Sequence, residues 1–383
     1  MRYKEFTDDW LISNISNEFI FLSNNSLSRD DLNYDCGCRK NIHYGDILTK
    51  YTTVKNITDN DVPYINDNIK ISGSSVKLIS GDIIVADTAE DYTVGKTIEI
   101  YNPNSLEIYS GLHTIPLRPK HEFSMGYLAY YFNSYNHKKR TFPLIQGIKV
   151  YSISKSVLSS SIIKYPTLDE QEKIAQILIK IDARISTQKK IIEDLKTLID
   201  SISFIANMKN GEFYKVKDLC NIGRGRVIST VEISKQLNPV YPVFSSQTQN
   251  NGIMGYLDNY EFDGEYITWT TDGANAGTIF YHNEKFNCTN VCGTLKVIHD
   301  NTSAKYLSII LPHYVQKYVS KNLANPKLMN NTMANIEVKI IPISEQLKII
   351  NVVSSLENKL NNEKSILKLY IKQKEYLLNK LFI

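Results

Sequence analysis

Apolar residues fall into two kinds of pattern along this 383-residue chain. Over most of its length they come in short alternating runs broken by Gly, Asn and Asp, which predicts short strands and turns. Twice the spacing changes to three and four, which predicts amphipathic helices. The first such stretch opens Tyr165-Pro166, then Glu170-Gln171, then Ile174, and runs to about Ile205. The second opens Ile341-Pro342, then Glu345-Gln346, then Ile349, and runs on to the last residues. Leu178, Ile181, Ile185, Ile192, Leu195, Ile199 and Ile202 line the first face. Each has a counterpart 175 positions later (353 − 178): Val353, Leu356, Leu360, Leu367, Tyr370, Lys374 and Leu377. Only Lys374 breaks the match.

A direct repeat at this spacing, far longer than a solenoid unit, predicts a duplicated domain-plus-helix. Asp169 and Ser344, each just after a Pro, are placed to cap their helices. Written as heptads, both stretches read as coiled coil, with a polar d position at Gln188 and Glu363 suited to fixing register. About 35 residues of helix span roughly 50 Å. Two such helices pack best on each other, and antiparallel if each domain starts and ends at the same end of the pair. Lys374 and Glu363 interrupt the second seam, which suggests that partner subunits complete it. The segments before each helix correspond too. Asp61–Ile65 resembles Pro239–Phe244, Ser80–Val85 resembles Asp263–Thr268, and Met125–Phe132 resembles Ala304–Ile310. Short strands, Gly/Asn turns and few helices predict α+β domains. The expected division is 1–165 and 207–341 for two similar domains, with spacer helices at 166–206 and 342–383 in pseudo-two-fold arrangement.

Composition changes this picture little. Hydrophobic content of 42% and charged content of 22% are those of an ordinary globular protein, and a net charge of +4 permits nucleic-acid binding without requiring it. The charged start (Arg2, Lys4, Glu5, Asp8, Asp9) does not read as a signal peptide, and no run has the length of a membrane span. Five cysteines, an odd number, argue for a reducing compartment and against a disulfide framework, so the expected location is cytoplasmic.

Catalytic signatures are not found. Gly95-Lys96-Thr97 resembles the end of a phosphate-binding loop, but Glu90 stands where that loop needs Gly, so a turn is expected. Asn238-Pro239-Val240-Tyr241 departs from the methyltransferase tetrad at Val240, and reads as a turn before a strand. Glu337-Val338-Lys339 has the acid-x-Lys spacing of a nuclease without its Pro-Asp partner, and alternates as a plain strand. Cys36-Gly37-Cys38 and Cys288…Cys292 lack zinc spacing. Neither a metal site nor a catalytic residue is expected.

Several polar stretches could meet DNA. Ile42–Tyr51 reads as a turn joined to a strand that carries Thr49, Lys50 and Tyr51, all phosphate-contacting types. Basic residues recur at Lys138, Lys139, Arg140 and Lys149. Gly223–Arg226 places Arg224 and Arg226 on a flexible loop, where either guanidinium could reach a phosphate or a guanine edge. Ser245, Ser246, Gln247 and Thr248 open a dense run of hydroxyls and amides. A second polar loop, Gly-rich, holds Thr270, Thr271, Asp272 and Asn275. Taken singly, each stretch also fits a merely solvated loop.

With both halves in view, the whole chain resembles the DNA-specificity subunits of type I restriction-modification systems. The resemblance rests on the two helix openings, Pro166/Glu170/Gln171/Ile174 and Pro342/Glu345/Gln346/Ile349, and on the ending Lys380-Leu381-Phe382. The runs Tyr44–Tyr51, Thr268–Gly277 and Phe286–Gly293 look like the family's target-recognition segments. The resemblance implies two target-recognition domains on an antiparallel helix pair, each reading one half of a bipartite, asymmetric site in double-stranded DNA. It also implies docking of two methyltransferase subunits that bring S-adenosylmethionine, joined by restriction subunits that use ATP and Mg. None of those activities or cofactors would belong to this chain. Two further contact loops follow from the resemblance, Gln146 with Lys149 in the first domain and Asn325 to Leu328, including Lys327, in the second. Both lack the family's usual Gly-Thr-rich version. The competing reading is a coiled-coil scaffold with two protein- or glycan-binding domains.

Overall fold

The computed structural model describes residues 2–147, 149–247, 249–320 and 325–382. Its chain forms two units, 1–190 with 365–383, and 191–364. Each long helix, Leu168–Met208 and Ile343–Lys380, contributes to both. Each begins one residue before the expected cap, so Asp169 and Ser344 sit in the first turn instead of capping it.

In the first unit, strand Leu11–Asn14 pairs antiparallel with Ile162–Tyr165, so the body opens and closes beside the start of the first long helix. Its main sheet runs Phe19–Phe21, Thr114–Pro119, Ile83–Ala86, Thr97–Tyr101, Val54–Asn56. The strand Ile83–Ala86 has no polar residue because both of its faces are covered. Ile83 and Val85 join one core with the helix Tyr127–Asn133 and the long helices, while Ile84 and Ala86 join another with Ile47, Ile98 and Ile100. Ile174, Leu178 and Ile181 of the first long helix share the former core with Leu377 of the second and with Leu381 and Phe382 just after it. Asp182 faces Lys374 and Arg184 faces Tyr370, so the two helix segments in this unit run antiparallel.

Lys374 is therefore no gap in the seam awaiting another chain. Its ammonium lies 2.6 Å from Asp182 Oδ1 and 3.3 Å from Thr53 Oγ1, above the Tyr130 ring. The second carboxylate oxygen of Asp182 accepts from Tyr130 Oη at 2.8 Å, so the pair is closed within the unit.

The second unit repeats the plan. Glu212–Lys215 pairs with Glu337–Ile340, and a four-stranded sheet runs Cys220–Arg224, Cys292–Val297, Glu265–Thr270, Ile279–Asn283. Ile267, Trp269 and Leu295 pack beneath the helix Ala304–Val315, together with Ala206, Ile349 and Val353 of the long helices. Glu337–Ile340 is the plain strand expected, and Gly95-Lys96-Thr97 is a turn entering a strand. The repeat is legible in the backbone. Gly81 and Gly264 both take positive φ before matching strands, as do Gly95 and Gly277.

One correspondence expected from the sequence is corrected. Tyr241–Phe244 runs parallel to Asn287–Cys288 and antiparallel to Ile253–Leu257. In the first unit that position belongs to Arg39–Ile42, parallel to Glu107–Ser110 and antiparallel to Tyr64. Asp61–Ile65 shares Pro, Val and Tyr with Pro239–Phe244, but composition does not determine partners; pairing does.

The paired Glu-Gln motifs prove structural. Gln171 is buried, accepts from Ser124 N at 3.0 Å and donates to Pro166 O at 2.9 Å. Gln346, likewise buried, accepts from Ser303 N at 2.9 Å and donates to Asn301 O and Ile341 O, both at 2.7 Å. In each unit one amide thus ties the start of a long helix to the turn before the body's own helix. Glu170 is held by Arg2 through two bonds of 2.9 and 2.7 Å, whereas Glu345 is paired with Lys209 and Lys348, which hold its carboxyl down at about 2.

Candidate nucleic-acid interface

The Gly-rich loop of the second unit follows strand Glu265–Thr270 and is folded over by its own hydrogen bonds. Gly273 N donates to Pro326 O at 3.0 Å and Leu328 N to Thr271 O at 2.9 Å, which joins this loop to the segment before the second long helix. Asp272 bridges to Lys327, with Lys327 Nζ 3.8 Å from Asp272 Oδ2, and Asn325 donates to Asp272 Oδ1 at 2.5 Å. Asn275 donates to Ser246 O at 3.3 Å, and Ser245 Oγ accepts from Thr289 Oγ1 at 3.2 Å. Stretches distant in sequence therefore meet in one loop cluster.

Arg224 joins this cluster, but not from a flexible loop. It ends the strand Cys220–Arg224, opposite Gly293, and Arg226 continues as a bridge to Thr289. Gly225 between them lies against the Cys288 carbonyl, which a Cβ would approach to 2.0 Å, so the backbone needs glycine for this close passage. Arg224 donates from Nε to Asn290 O at 2.5 Å and from Nη2 to Thr271 Oγ1 at 3.1 Å. Arg226 is held more fully, by Glu232 at 2.9 and 2.5 Å and by Glu261. That pairing keeps Glu232 below the usual carboxylate range.

Not every residue singled out from the sequence reaches the surface. Thr270 and Thr271 are buried, so Thr271 serves to position Arg224. Ser245 and Ser246 are half-buried and Gln247 is exposed, its amide donating to Ile253 O; Thr248 lies outside the described residues. Cys288 and Cys292 pack with Phe244 and Phe286, and burial pushes the Cys292 thiol up to about 11. His282, pushed down to about 4 by burial, bonds Thr268 Oγ1 at 2.8 Å.

In the first unit the expected strand at Thr49–Tyr51 is instead the end of a helix, Tyr44–Thr49. His43 Nδ1 caps it by accepting from Gly45 N at 3.1 Å, and buried Asp46 receives Arg29 through two bonds of 2.7 Å. These partners lie outside the local apolar pattern, so alternation alone misreads the segment. Thr49 and Lys50 are exposed, and Lys50 Nζ lies 3.1 Å from Tyr34 Oη. Tyr51 is buried, and burial pushes its hydroxyl above its ordinary value.

Gln146 and Lys149 stand elsewhere. Gln146 bridges to Ser152, and Tyr151–Ser152 pairs with Thr88–Ala89, the loop that follows strand Ile83–Ala86. This is the topological counterpart of the Asp272–Lys327 bridge. Three aromatic residues not singled out from the sequence meet here. Exposed Tyr92 stacks on Tyr151 at 5.0 Å and meets Phe142 edge-on at 6.1 Å. The signal was available: Gly95 and Gly277 close equivalent loops, so Tyr92 lies where the second unit carries its polar loop.

Among the described residues no cluster of His, Cys, Asp and Glu could hold a metal ion, and no helix is long and apolar enough to cross a membrane.

The chain matches the type I restriction modification DNA specificity domain twice, over residues 39–197 and 208–369. It is 46% identical over 143 residues to a Mycoplasma pneumoniae chain described as the N-terminus of a type I specificity subunit, which covers 37% of this chain and 75% of that one. A second such M. pneumoniae protein is 39% identical over 206 residues, covering 52% of this chain and 84% of that one. In fold, the crystal structure of a type I restriction-modification S subunit from M. genitalium aligns with 100% of this chain and 99% of its own, at a TM-score of 0.63 and 17% identity.

Proposed function

This chain belongs to the type I restriction modification DNA specificity family, and from that premise we propose that each of its units reads one half of a bipartite, asymmetric DNA site. The observation that carries the reading is a loop cluster at the same topological position in both units, built from different side chains. The second unit offers Arg224, Ser246, Asp272, Asn275 and Lys327 there; the first offers Tyr92, Gln146 and Tyr151, with exposed Lys149 between the last two in sequence. Different side chains on one scaffold favour different half-sites.

The chain acts as a recognition subunit and performs no chemistry itself. Two methyltransferase subunits would bring S-adenosylmethionine and extrude the target base, and restriction subunits would bring ATP and Mg. The complex would work in the cytoplasm, where its DNA lies. The family match leaves the protein- or glycan-binding scaffold without support.

The test is a shift assay with the reconstituted methyltransferase on duplexes carrying each half-site. Arg224 uses two of its five donors internally, while Arg226 is largely taken up by carboxylates. Arg224→Ala should weaken the second half-site by about 5- to 100-fold, the worth of one guanidinium contact, and leave the first intact. Arg226→Ala should cost less. Equal loss at both half-sites would overturn independent reading, and absence of preference for any bipartite sequence would overturn the function.

A further inference from the structure

We propose that the first unit contains a phosphate-binding cleft, formed where Thr49–Thr53 and Lys96 face the two long helices. The cleft encloses about 440 Å³, room for one phosphate group with its water. Three lysines converge on it from separate elements: Lys96 from the turn after Gly95, Lys189 from the first long helix and Lys374 from the second. Lys50 stands at its edge, already shared with Asp46 and Tyr34.

The charges inside are unbalanced in a particular way. Asp182 is used by Lys374 and Tyr130. Lys96 Nζ has only the Leu48 carbonyl, at 2.9 Å. Among the described residues Lys189 has no hydrogen bond or ion pair, and Glu375, which also lines the cleft, is exposed. Burial first, and then Lys374, Lys138 and Lys189, push the Lys96 ammonium down to about 8. Cations that repel one another in a half-buried cleft destabilise the protein unless an anion joins them.

The second unit shows that the fold does not require two of these lysines, Lys96 and Lys374, whereas Lys189 has a lysine counterpart in Lys364. Its equivalent turn carries Thr278 after Gly277, and the counterpart of Lys374 is Ile199. Glu357, the counterpart of Asp182, pairs instead with Lys305 at 2.6 Å. The same scaffold is thus complete with Thr and Ile. A cluster whose Lys96 and Lys374 are not dictated by the scaffold, and in which charge repulsion opposes Lys96, is accounted for by a ligand with concentrated negative charge and several acceptor oxygens. A phosphate group has both, whether it belongs to a DNA backbone or to a small free compound.

The inference goes beyond the half-site reading and can fail separately from it. Lys96 is the probe, because an amine near its titration point is reactive and an anion would shield it. The full chain is reductively methylated with sodium phosphate, with a duplex lacking any recognition sequence, or with sodium chloride at equal ionic strength. Modification of Lys96 is compared with exposed Lys235 by mass spectrometry. Phosphate should protect Lys96 several-fold while chloride does not, and Lys189→Gln should raise the phosphate concentration needed. Lys96→Thr, copying Thr278, should abolish phosphate-dependent thermal stabilisation without lowering the melting temperature in its absence. Protection by the duplex at far lower phosphate-group concentration assigns the cleft to the DNA backbone; protection by free phosphate alone assigns it to a small anion. Equal effects of phosphate and chloride, or no protection by either phosphate source, would overturn the cleft. Sequence-specific shift of DNA, with Lys96 protected by neither phosphate source, would overturn the cleft while leaving the half-site reading standing.

Discussion

Glu99 offers a test of the packing with a sign that few surface carboxylates share. It lies in the strand Thr97–Tyr101, fully buried, where its Oε1 accepts from Gly126 N at 2.8 Å and its Oε2 from Ala129 N at 3.3 Å. It thereby satisfies free amides at the start of the helix Tyr127–Asn133. Those bonds favour the charged form, but burial outweighs them and pushes the carboxyl up from 4.5 to about 7. The folded state therefore holds a proton that the unfolded chain releases. The stability this adds is fully present below about 4.5 and is lost as pH rises through about 7. At about 1.4 kcal/mol per pH unit, the loss comes to roughly 3 kcal/mol.

Glu99→Gln keeps an acceptor for Gly126 and removes the titration. The chain has two tryptophans, one in each unit, so a Trp269→Phe background leaves Trp10, packed beside Tyr127, to report the first unit. Urea unfolding followed by its fluorescence gives the stability with and without the substitution across pH. His137, pushed down to about 3 mainly by burial, acts in the opposite sense. Its stability is present above 6.5 and lost as pH falls through about 3, so only the difference between the two proteins isolates Glu99. That difference should move by roughly 3 kcal/mol in favour of Gln between pH 4.5 and 7 and then level off. A difference flat to within about 1 kcal/mol would refute the assignment of burial as the dominant effect.

The two Gln clips should behave alike but locally: Gln171→Leu and Gln346→Leu should each cost about 2–4 kcal/mol by stranding buried backbone groups, read in the matching unit by Trp10 or Trp269 fluorescence. Lys374→Ile, which copies Ile199, should cost about 1–3 kcal/mol because Asp182 is left without its cation. Adding Asp182→Leu should recover part of that loss in a double-mutant cycle; a strictly additive result would show that the pair is not coupled.

The long helices were legible because their spacing holds over 41 and 38 residues, and because a copy 175 positions away checks it. Short elements had no such check. Tyr44–Thr49 could be taken for a strand because its helix depends on Arg29, which meets Asp46 from 17 residues away. Lys374 looked like a defect in an apolar seam because its partner, Asp182, lies on a different element and is invisible to periodicity. Arg224 and Arg226 looked mobile because two glycines flank and separate them. Gly225 is there for the opposite reason, to let a rigid strand pass the Cys288 carbonyl.

These differences follow from a division of labour within each unit. Gln171 and Gln346 make corresponding bonds, to Ser124 and Ser303, although the bodies around them have diverged. Beyond those clips, the loop closed by Gly95 carries Tyr92 and the loop closed by Gly277 carries Asp272 and Asn275. A loop can exchange its side chains at little cost to stability when its ends are held by a strand and a bridge that do not change, Thr88–Ala89 with Tyr151–Ser152 in one unit and Asp272 with Lys327 in the other. The repeated residues are therefore the wrong place to look for sequence preference. The positions at which the two copies disagree, within a backbone on which they agree, are where a change of half-site would have to be made.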